Sequence, residues 1–324
     1  LTKYYATKKF GEKVNVREKA YFDYKPNKEY YRYWHGNMFL VKTLMLVFDY
    51  KNILIFLSVI LIAFTLLITY NLYRRNHLIA VLFLISNLLC HVYVTFYCLE
   101  YIYMFLLSYI MSLIAFKLID KDESKVICFF IVGGVLANFF DFLTTETLVF
   151  TLPFFIIFNF SKKKDFKTSL VFFLKSLIAF LLGYSLMWIL KWLILIIIYK
   201  QSPNNFLNTH IEERGFSLVA VKKEPFNSIY DNLKLIVPFC YLNNSLVILI
   251  TICYICYVIW LIIRKKIDSK SIILLLISII PMLRYFVLYK HSIEHTFFTY
   301  RALLPSIMIW IYMFFRKDDK YEKD

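Results

Sequence analysis

Long apolar stretches alternate with short polar connectors along the 324 residues of the chain. Most of these stretches approach the roughly 20 residues with which a helix crosses the ~30 Å hydrocarbon core of a bilayer. A helix also satisfies its own backbone hydrogen bonds there, where no water is present to do so. The pattern predicts an all-α membrane protein, a polytopic bundle of about nine transmembrane helices with an outer surface helix and external loops. The predicted spans are 52–72, 78–97, 99–119, 126–142, 145–160, 169–190, 245–263, 271–289 and 302–315.

Composition supports this class and indicates which molecules the protein is expected to bind. Hydrophobic residues make up 60% of the chain and charged residues only 19%, against about a quarter in soluble domains. The net charge of +16 comes from Lys and Arg mainly at helix ends and in the N-terminal segment, where they anchor and orient spans. We therefore expect membrane lipids as partners and no nucleic acid. The cysteines lie mostly in apolar runs and indicate neither a disulfide framework nor a metal site.

The connectors fall into two alternating sets that predict the topology. One set contains tight turns without Lys or Arg, around 98–100 and 141–146. Basic loops favour the cytoplasmic side, so the other set is predicted to be cytoplasmic. The chain is then a multi-pass protein of the cell membrane with a cytoplasmic C-terminus and an external N-terminal segment. The basic set comprises 73–76, 120–125, 161–167, 264–270 and the tail from Arg316.

The topology divides the chain into five parts. An N-terminal segment is predicted to be external and to need an additional span upstream of Leu1 for its export. Within it, 37–49 is too short to cross and fits a helix along the membrane surface. The five parts are the external segment 1–51, transmembrane helices one to six in 52–199, an external loop or cap in 200–244, helices seven to nine in 245–315, and the tail 316–324.

Three carboxylates at the predicted outer ends of spans are candidates for acid–base catalysis. Asp141 and Glu146 bound a short turn, and Glu100 joins two spans with almost no loop. Carboxylates in or near a membrane are costly, which makes them functional candidates. Alternatively they are solvated at turns, with Thr144 or Thr145 capping the next helix.

A second group of candidates lies in the outer segment 284–301, of which 290–301 is predicted to be an external loop. The run from His291 to His295 reads His-x-x-Glu-His, which on a helix can hold zinc. Cationic side chains at a membrane interface also suit a phosphate, and a third possibility is simple anchoring at head-group level. No third metal ligand is evident, so a divalent metal is possible but not indicated, and the site is predicted as substrate-binding. Its predicted members are His35, Arg284, Lys290, His291, His295 and Arg301.

Several polar residues are predicted inside spans, and common nucleotide motifs are missing. His91, Asn87 and Asn138 are expected to form helix–helix hydrogen bonds, and Lys175 is expected to be buried. The sequence contains no Gly-x-x-x-x-Gly-Lys, Gly-x-Gly-x-x-Gly or Gly-x-Ser-x-Gly motif. An ATP-driven pump or a serine hydrolase is therefore not expected.

The order of features resembles the GT-C class of membrane glycosyltransferases. In that class a first span leads into a large outer loop with a surface helix, and many spans follow. Here the run Tyr31-Arg32-Tyr33-Trp34-His35-Gly36 before the surface helix looks like the end of that loop. The stretches 140–145 and 291–301 resemble segments of a group of bacterial polytopic proteins of similar plan. The likeness covers most of the chain in layout, through short motifs.

The resemblance implies transfer of a sugar from a polyprenyl-phosphate donor to a cell-envelope acceptor on the outer leaflet. Such transfer needs a carboxylate base, and cations to stabilise the departing phosphate. The signature aspartate of the class is not identifiable, which leaves Asp23 and Glu29 as stand-ins. Asp141, Glu146 or Glu100 is then expected to act as the base or to orient the acceptor. The expected phosphate ligands are Arg284, His291, His295 and Arg301. A transporter or flippase of a lipid-linked glycan and a non-catalytic scaffold remain as alternatives.

Overall fold

The computed structural model describes residues 2–4, 28–30, 33–162, 165–200, 202, 225–263 and 268–315. Asp23, one of the stand-ins for the catalytic base, lies outside these residues, and Glu29 lies in a short strand. That strand, β2 (Lys28–Tyr30), pairs antiparallel with β1 (Thr2–Tyr4), with Thr2 opposite Tyr30. Almost all of the remaining described chain is helical.

The helices follow the apolar stretches of the sequence in order, with three short 3-10 segments between them. The 3-10 segments are Val92–Tyr97, Phe239–Tyr241 and Tyr300–Leu303. The α-helices are α1 (Gly36–Leu44), α2 (Tyr50–Tyr73), α3 (His77–Leu89), α4 (Leu99–Leu118), α5 (Glu123–Phe140), α6 (Leu148–Phe160), α7 (Phe166–Ile197), α8 (Pro225–Leu233), α9 (Asn244–Ile263), α10 (Ser269–Val287), α11 (Tyr289–Glu294), α12 (Thr296–Thr299) and α13 (Leu304–Phe315).

Seven helical segments in the described chain are long and apolar enough to cross a membrane. They are α2, α4, α5, α7, α9, α10 and the continuous run from α12 to α13. Two further predicted spans correspond to α3 and α6, which have only 13 residues each. At 1.5 Å per residue such a helix is about 20 Å long, well short of a ~30 Å hydrocarbon core. The predicted helical bundle is thus confirmed, and seven of its helical segments are long and apolar enough to span a membrane.

The second predicted span, 78–97, is wrong as a continuous helix. Helix α3 ends at Leu89, and His91 has a φ of 50°, which reverses the local backbone before the 3-10 segment. Histidine tolerates this left-handed region better than most residues, and the Nδ1 atom of His91 lies 2.9 Å from the Tyr300 hydroxyl. His91 therefore makes the expected hydrogen bond to another segment of the chain, but it does so from the turn after α3 and not from within a helix.

Helix α6 is the centre of the bundle. Every residue from Leu148 to Asn159 is buried, which explains why this short helix is apolar on all faces. Phe150 and Phe154 stack at 5.3 Å between ring centroids, and Phe154 and Phe158 stack at 5.7 Å. This aromatic column also contacts Phe130 of α5. Helix α6 is therefore enclosed by the surrounding helices on all of its faces.

Helices α5 and α7 pack backbone against backbone through two glycines. A Cβ atom on Gly134 would collide with the Phe180 carbonyl oxygen, and one on Gly183 would collide with that of Ile131. Small residues allow this close approach in membrane helices. A Cβ on the neighbouring Gly133 would instead meet the flexible end of Met111 at 2.8 Å.

The adjacent glycines give a matched test of this contact. Gly134→Ala is expected to destabilise the protein by about 1–3 kcal/mol, because a backbone carbonyl cannot turn away from the added methyl group. Gly133→Ala is expected to be neutral or slightly stabilising, since the Met111 side chain can move and alanine favours the helix by up to about 1 kcal/mol. Unfolding by SDS titration in mixed micelles measures both. Equal destabilisation by the two changes would contradict the assigned contact.

Two predictions about charged and surface residues are also corrected. Lys175 is not buried, because its side chain is 57% exposed and its Nζ lies 2.7 Å from Glu123. The predicted surface helix 37–49 is shorter, since α1 ends at Leu44. Phe39, Leu46 and Val47 near it are 71–84% exposed.

Candidate functional site

The turn between α5 and α6 carries the two carboxylates predicted from the sequence. The Asp141 carboxylate accepts the Thr144 backbone N–H, with both oxygens 3.0 Å from the nitrogen, and also accepts the Thr144 hydroxyl. Thr144 thus hydrogen-bonds Asp141 and does not act as the predicted cap of the next helix. Both Asp141 and Glu146 are buried, with 4% and 6% of their surface exposed. These carboxylates are therefore not solvated.

Leu143 directs its backbone carbonyl towards cationic side chains. It is buried and has a φ of 63°, a left-handed conformation that costs about 1–2 kcal/mol for a residue with a Cβ atom. Its carbonyl oxygen accepts hydrogen bonds from Arg284 Nη2 and from His291 Nε2, the latter at 2.8 Å. A carbonyl can only accept, so Nε2 of His291 carries a proton. Strained residues of this kind concentrate at functional sites.

Arg284 of α10 joins the turn to the segment that follows α10. Its Nε donates to Glu146 Oε1 at 2.7 Å, and the two side chains are 6% and 8% exposed. Its Nη1 donates to the Ser292 hydroxyl at 2.8 Å, and its Nη2 donates to Leu143. Arg284, predicted to bind phosphate, thus directs all three of its nitrogens to protein acceptors. We call Asp141, Leu143, Glu146, Arg284, His291 and Ser292 the carboxylate cluster.

The cluster contains two carboxyl groups beside the one arginine. Burial, and next the negative charge of Glu146, raise the pKa of Asp141 well above its ordinary range, although the hydrogen bonds from Thr144 oppose this. Asp141 is therefore the group that can gain or lose a proton, while Arg284 neutralises Glu146.

Aromatic residues close one side of this turn. The ring of Phe142 lies 5.3 Å from Tyr33 and 5.1 Å from His35, edge-on to the former. Tyr33 also contacts Trp188 of α7 at 6.0 Å. The predicted substrate residue His35 therefore lies beside the turn, in the chain entering α1.

The segment 290–301 was predicted to be a loop between two helices, and this is wrong. It folds as α11, α12 and a 3-10 turn, in which Lys290, His291 and Arg301 are all buried. Helix α8 packs on it, with Asn232 donating to Ser292 O at 3.1 Å and accepting from the Thr299 hydroxyl at 2.6 Å. Helix α8 is thus held against this segment by side-chain hydrogen bonds of Asn232. Hydropathy cannot identify the partners of such bonds.

The two histidines of the His-x-x-Glu-His run do share one helical turn. The His291 and His295 rings are 4.5 Å apart, and His295 stacks on Phe298 at 5.2 Å. Within the described residues no group of three His, Cys, Asp or Glu side chains could hold a metal ion. Glu294, between the histidines, is exposed.

Arg301 lies in a separate cluster with His91. Its Nε donates to the His91 carbonyl at 3.2 Å, its Nη1 donates to Phe297 O at 2.8 Å, and its guanidinium lies 4.7 Å from the centre of the Tyr300 ring. Partial burial, and then the positive charge of Arg301, lower the pKa of the His91 imidazole. We call these residues the Arg301 cluster.

The structure brings together some of the predicted site residues and separates others. Asp141, Glu146, Arg284 and His291 meet in the carboxylate cluster, with His295 beside His291. Glu100 lies exposed in the first turn of α4, outside both clusters. The functional residues that were not predicted individually are Tyr33, Leu143, Asn232 and Ser292. Tyr33, Leu143 and Ser292 lie inside stretches that the sequence analysis singled out, whereas nothing in the sequence indicated Asn232.

Comparisons with protein-family models, curated proteins and solved structures find no match for this chain. The functional assignment therefore depends on the geometry of the two clusters.

Proposed function

We propose that this protein transfers a sugar from a polyprenyl-phosphate donor to a cell-envelope acceptor at the outer leaflet. The observation that carries the proposal is the buried Asp141 carboxyl group, held beside the Glu146–Arg284 ion pair at the end of the bundle opposite the basic connectors. A carboxyl group of raised pKa in a water-poor site suits proton transfer.

Asp141 is assigned as the general base. In a direct displacement, the acceptor hydroxyl attacks the anomeric carbon, its proton passes to Asp141, and the bond from that carbon to the phosphate oxygen breaks. Polyprenyl phosphate then leaves with the electron pair. Glu146 and Arg284 are engaged with each other, so we assign both as positioning residues rather than as base and phosphate ligand.

The departing phosphate needs cationic donors. We assign this role to Lys290, His295 and Arg301, with His35 at the aromatic side of the turn. Arg301 retains one nitrogen, Nη2, that makes no hydrogen bond to the described residues. Arg284 is left out of this set because its three nitrogens are used within the carboxylate cluster.

The function is tested by reconstituting the protein in proteoliposomes that contain radiolabelled polyprenyl-phosphate sugars and an envelope extract. Wild-type protein is expected to move label from the donor into the acceptor fraction, and Asp141→Asn is expected not to. If the wild-type protein transfers label from none of the donors, the proposal is wrong.

A non-catalytic scaffold is the second candidate. It is favoured by the complete use of Arg284 inside the protein and by the low exposure of both carboxylates. A scaffold would transfer no sugar from any donor, and cells that need the protein would tolerate Asp141→Asn.

We further propose the nine-pass topology, with α3 and α6 crossing despite their length and the C-terminus in the cytoplasm. In a variant with the six native cysteines replaced, Lys121→Cys is expected to react with a membrane-impermeant maleimide only after cells are permeabilised. Asn243→Cys is expected to react in intact cells. Both positions are exposed in the structure, so reaction of both from the same side would contradict the topology.

A further inference from the structure

A cavity lies at the basic end of the bundle, opposite the carboxylate cluster. The cavity has a volume of about 410 Å³, within the range of small-molecule sites. Lys121, Lys162 and Lys270 line it on the polar side. Its apolar side is formed by Leu118, Val126, Ile157, Phe158 and Phe172. The cavity is therefore amphipathic, because its lining combines these apolar side chains with three lysines and with the carboxylates of Asp120, Glu123 and Asp268.

Three helices begin at this cavity. Glu123 is the first residue of α5, Ser269 is the first residue of α10, and Ser169 lies in the first turn of α7; all three line the cavity. Each helix N-terminus carries about half a positive elementary charge. Asp165 and Asp268 cap α7 and α10, whereas the N-cap of α5 makes no side-chain hydrogen bond. The N-terminus of α5 therefore adds a partial positive charge to that of the lysines and favours an anion.

The acidic residues at the cavity are already engaged. Asp120 accepts the Lys162 backbone N–H at 3.0 Å, Glu123 pairs with Lys175 at 2.7 Å, and Asp268 accepts the Ser271 N–H at 2.9 Å. These contacts direct the carboxylates to protein donors. By contrast, the side chains of Lys121 and Lys162 are exposed.

A buried hydroxyl group provides an independent indication of a ligand. Ser169 is 2% exposed and lines the cavity. Its backbone N–H donates to Asp165 O at 3.0 Å, but its hydroxyl makes no hydrogen bond within the described residues. Buried hydroxyl groups are usually paired, so Ser169 is suited to donate to an acceptor atom inside the cavity.

We propose that this cavity binds the phosphate of an anionic phospholipid head group. The phosphate would lie between Lys121, Lys162 and the N-terminus of α5, with the Ser169 hydroxyl as donor. The glycerol end would meet the apolar wall. Basic pockets between transmembrane helices on the cytoplasmic side bind such head groups.

The test is a titration of the purified full chain in maltoside micelles. The probes are dioctanoyl phosphatidylglycerol, dioctanoyl phosphatidylcholine and inorganic phosphate, and calorimetry measures the affinity. Phosphatidylglycerol is expected to bind saturably and more tightly than phosphatidylcholine, because the zwitterionic choline head group offers the lysines no net negative charge. The double variant K121Q/K162Q is expected to lower the affinity for phosphatidylglycerol about 25-fold, which is about fivefold for each lysine.

The matched control is K42Q/K51Q, which removes two exposed lysines at the other end of the bundle. It should leave the affinity unchanged, while Ser169→Ala should weaken binding about fivefold. If inorganic phosphate binds tightly and depends on the same lysines, while phosphatidylglycerol does not bind, the cavity is a site for free phosphate. That result would overturn the lipid proposal. Absence of saturable binding by both anions, or equal weakening in the control, would overturn the site.

Discussion

Replacing Asp141 by asparagine is expected to lower the rate of sugar transfer by about 100- to 10,000-fold. Asparagine cannot accept the acceptor's proton, yet its side-chain oxygen can still accept the Thr144 N–H that Asp141 accepts in the structure. The turn should therefore keep its conformation. Initial rates in proteoliposomes, at saturating donor, measure the effect.

The same substitution has a pH-dependent effect on stability, which does not depend on catalysis. The folded-state pKa of Asp141 is raised, so the folded protein binds this proton more tightly than the unfolded chain. The stability that this proton contributes is fully present below the ordinary pKa of about 3.9 and is lost as pH rises through the raised pKa. Asp141→Asn, a neutral analogue, should remove that loss and become the more stable protein as pH rises.

Glu294→Gln is the matched control, because Glu294 is an exposed carboxylate at the same end of the bundle. It is expected to change neither transfer nor the pH profile of unfolding. Transfer that survives Asp141→Asn would show that Asp141 is not the base, and Glu100→Gln would then be tested as the next candidate. An unfolding pH profile of Asp141→Asn identical to that of the wild type would contradict the raised pKa of the buried Asp141 carboxyl group.

Replacing Arg284 by methionine is expected to destabilise the protein by about 3–5 kcal/mol. The change removes the cation that lies 2.7 Å from Glu146 and leaves that carboxylate buried without its partner. Methionine has similar length, so the loss of packing is small. Unfolding by SDS titration in mixed micelles measures the change in free energy.

The ion pair itself is isolated by a double-mutant cycle. Glu146→Gln alone leaves the Arg284 charge uncompensated, whereas the double variant R284M/E146Q leaves no buried charge in the pair. The double variant is expected to be less destabilised than the sum of the single variants. Arg284→Lys keeps the charge but loses the fork of donors to Leu143 and Ser292, so an intermediate effect is expected. Additive single effects would contradict the pairing.

Much of the candidate site could be anticipated from residue chemistry, but its connections could not. Asp141, Glu146, Arg284 and His291 are notable in sequence because charged groups are rare in such apolar surroundings. Their pairing spans 138 residues between Glu146 and Arg284, and no local pattern encodes a contact at that separation. The left-handed backbone of Leu143 has no sequence signal either, because leucine rarely adopts it.

The apolar stretches by themselves determined the class of this protein and the approximate position of most helices, because a bilayer requires long apolar segments whose backbone bonds are internal. Tertiary structure decided which stretches are long helices and which are short. His91 ends α3 where it hydrogen-bonds Tyr300, and α6 is short and enclosed on every side. Tertiary structure also turned the predicted outer loop 290–301 into a buried segment, since its polar groups find partners on α8. Hydropathy measures the preference of each residue for water or lipid, whereas these outcomes depend on partners that only the folded chain brings together.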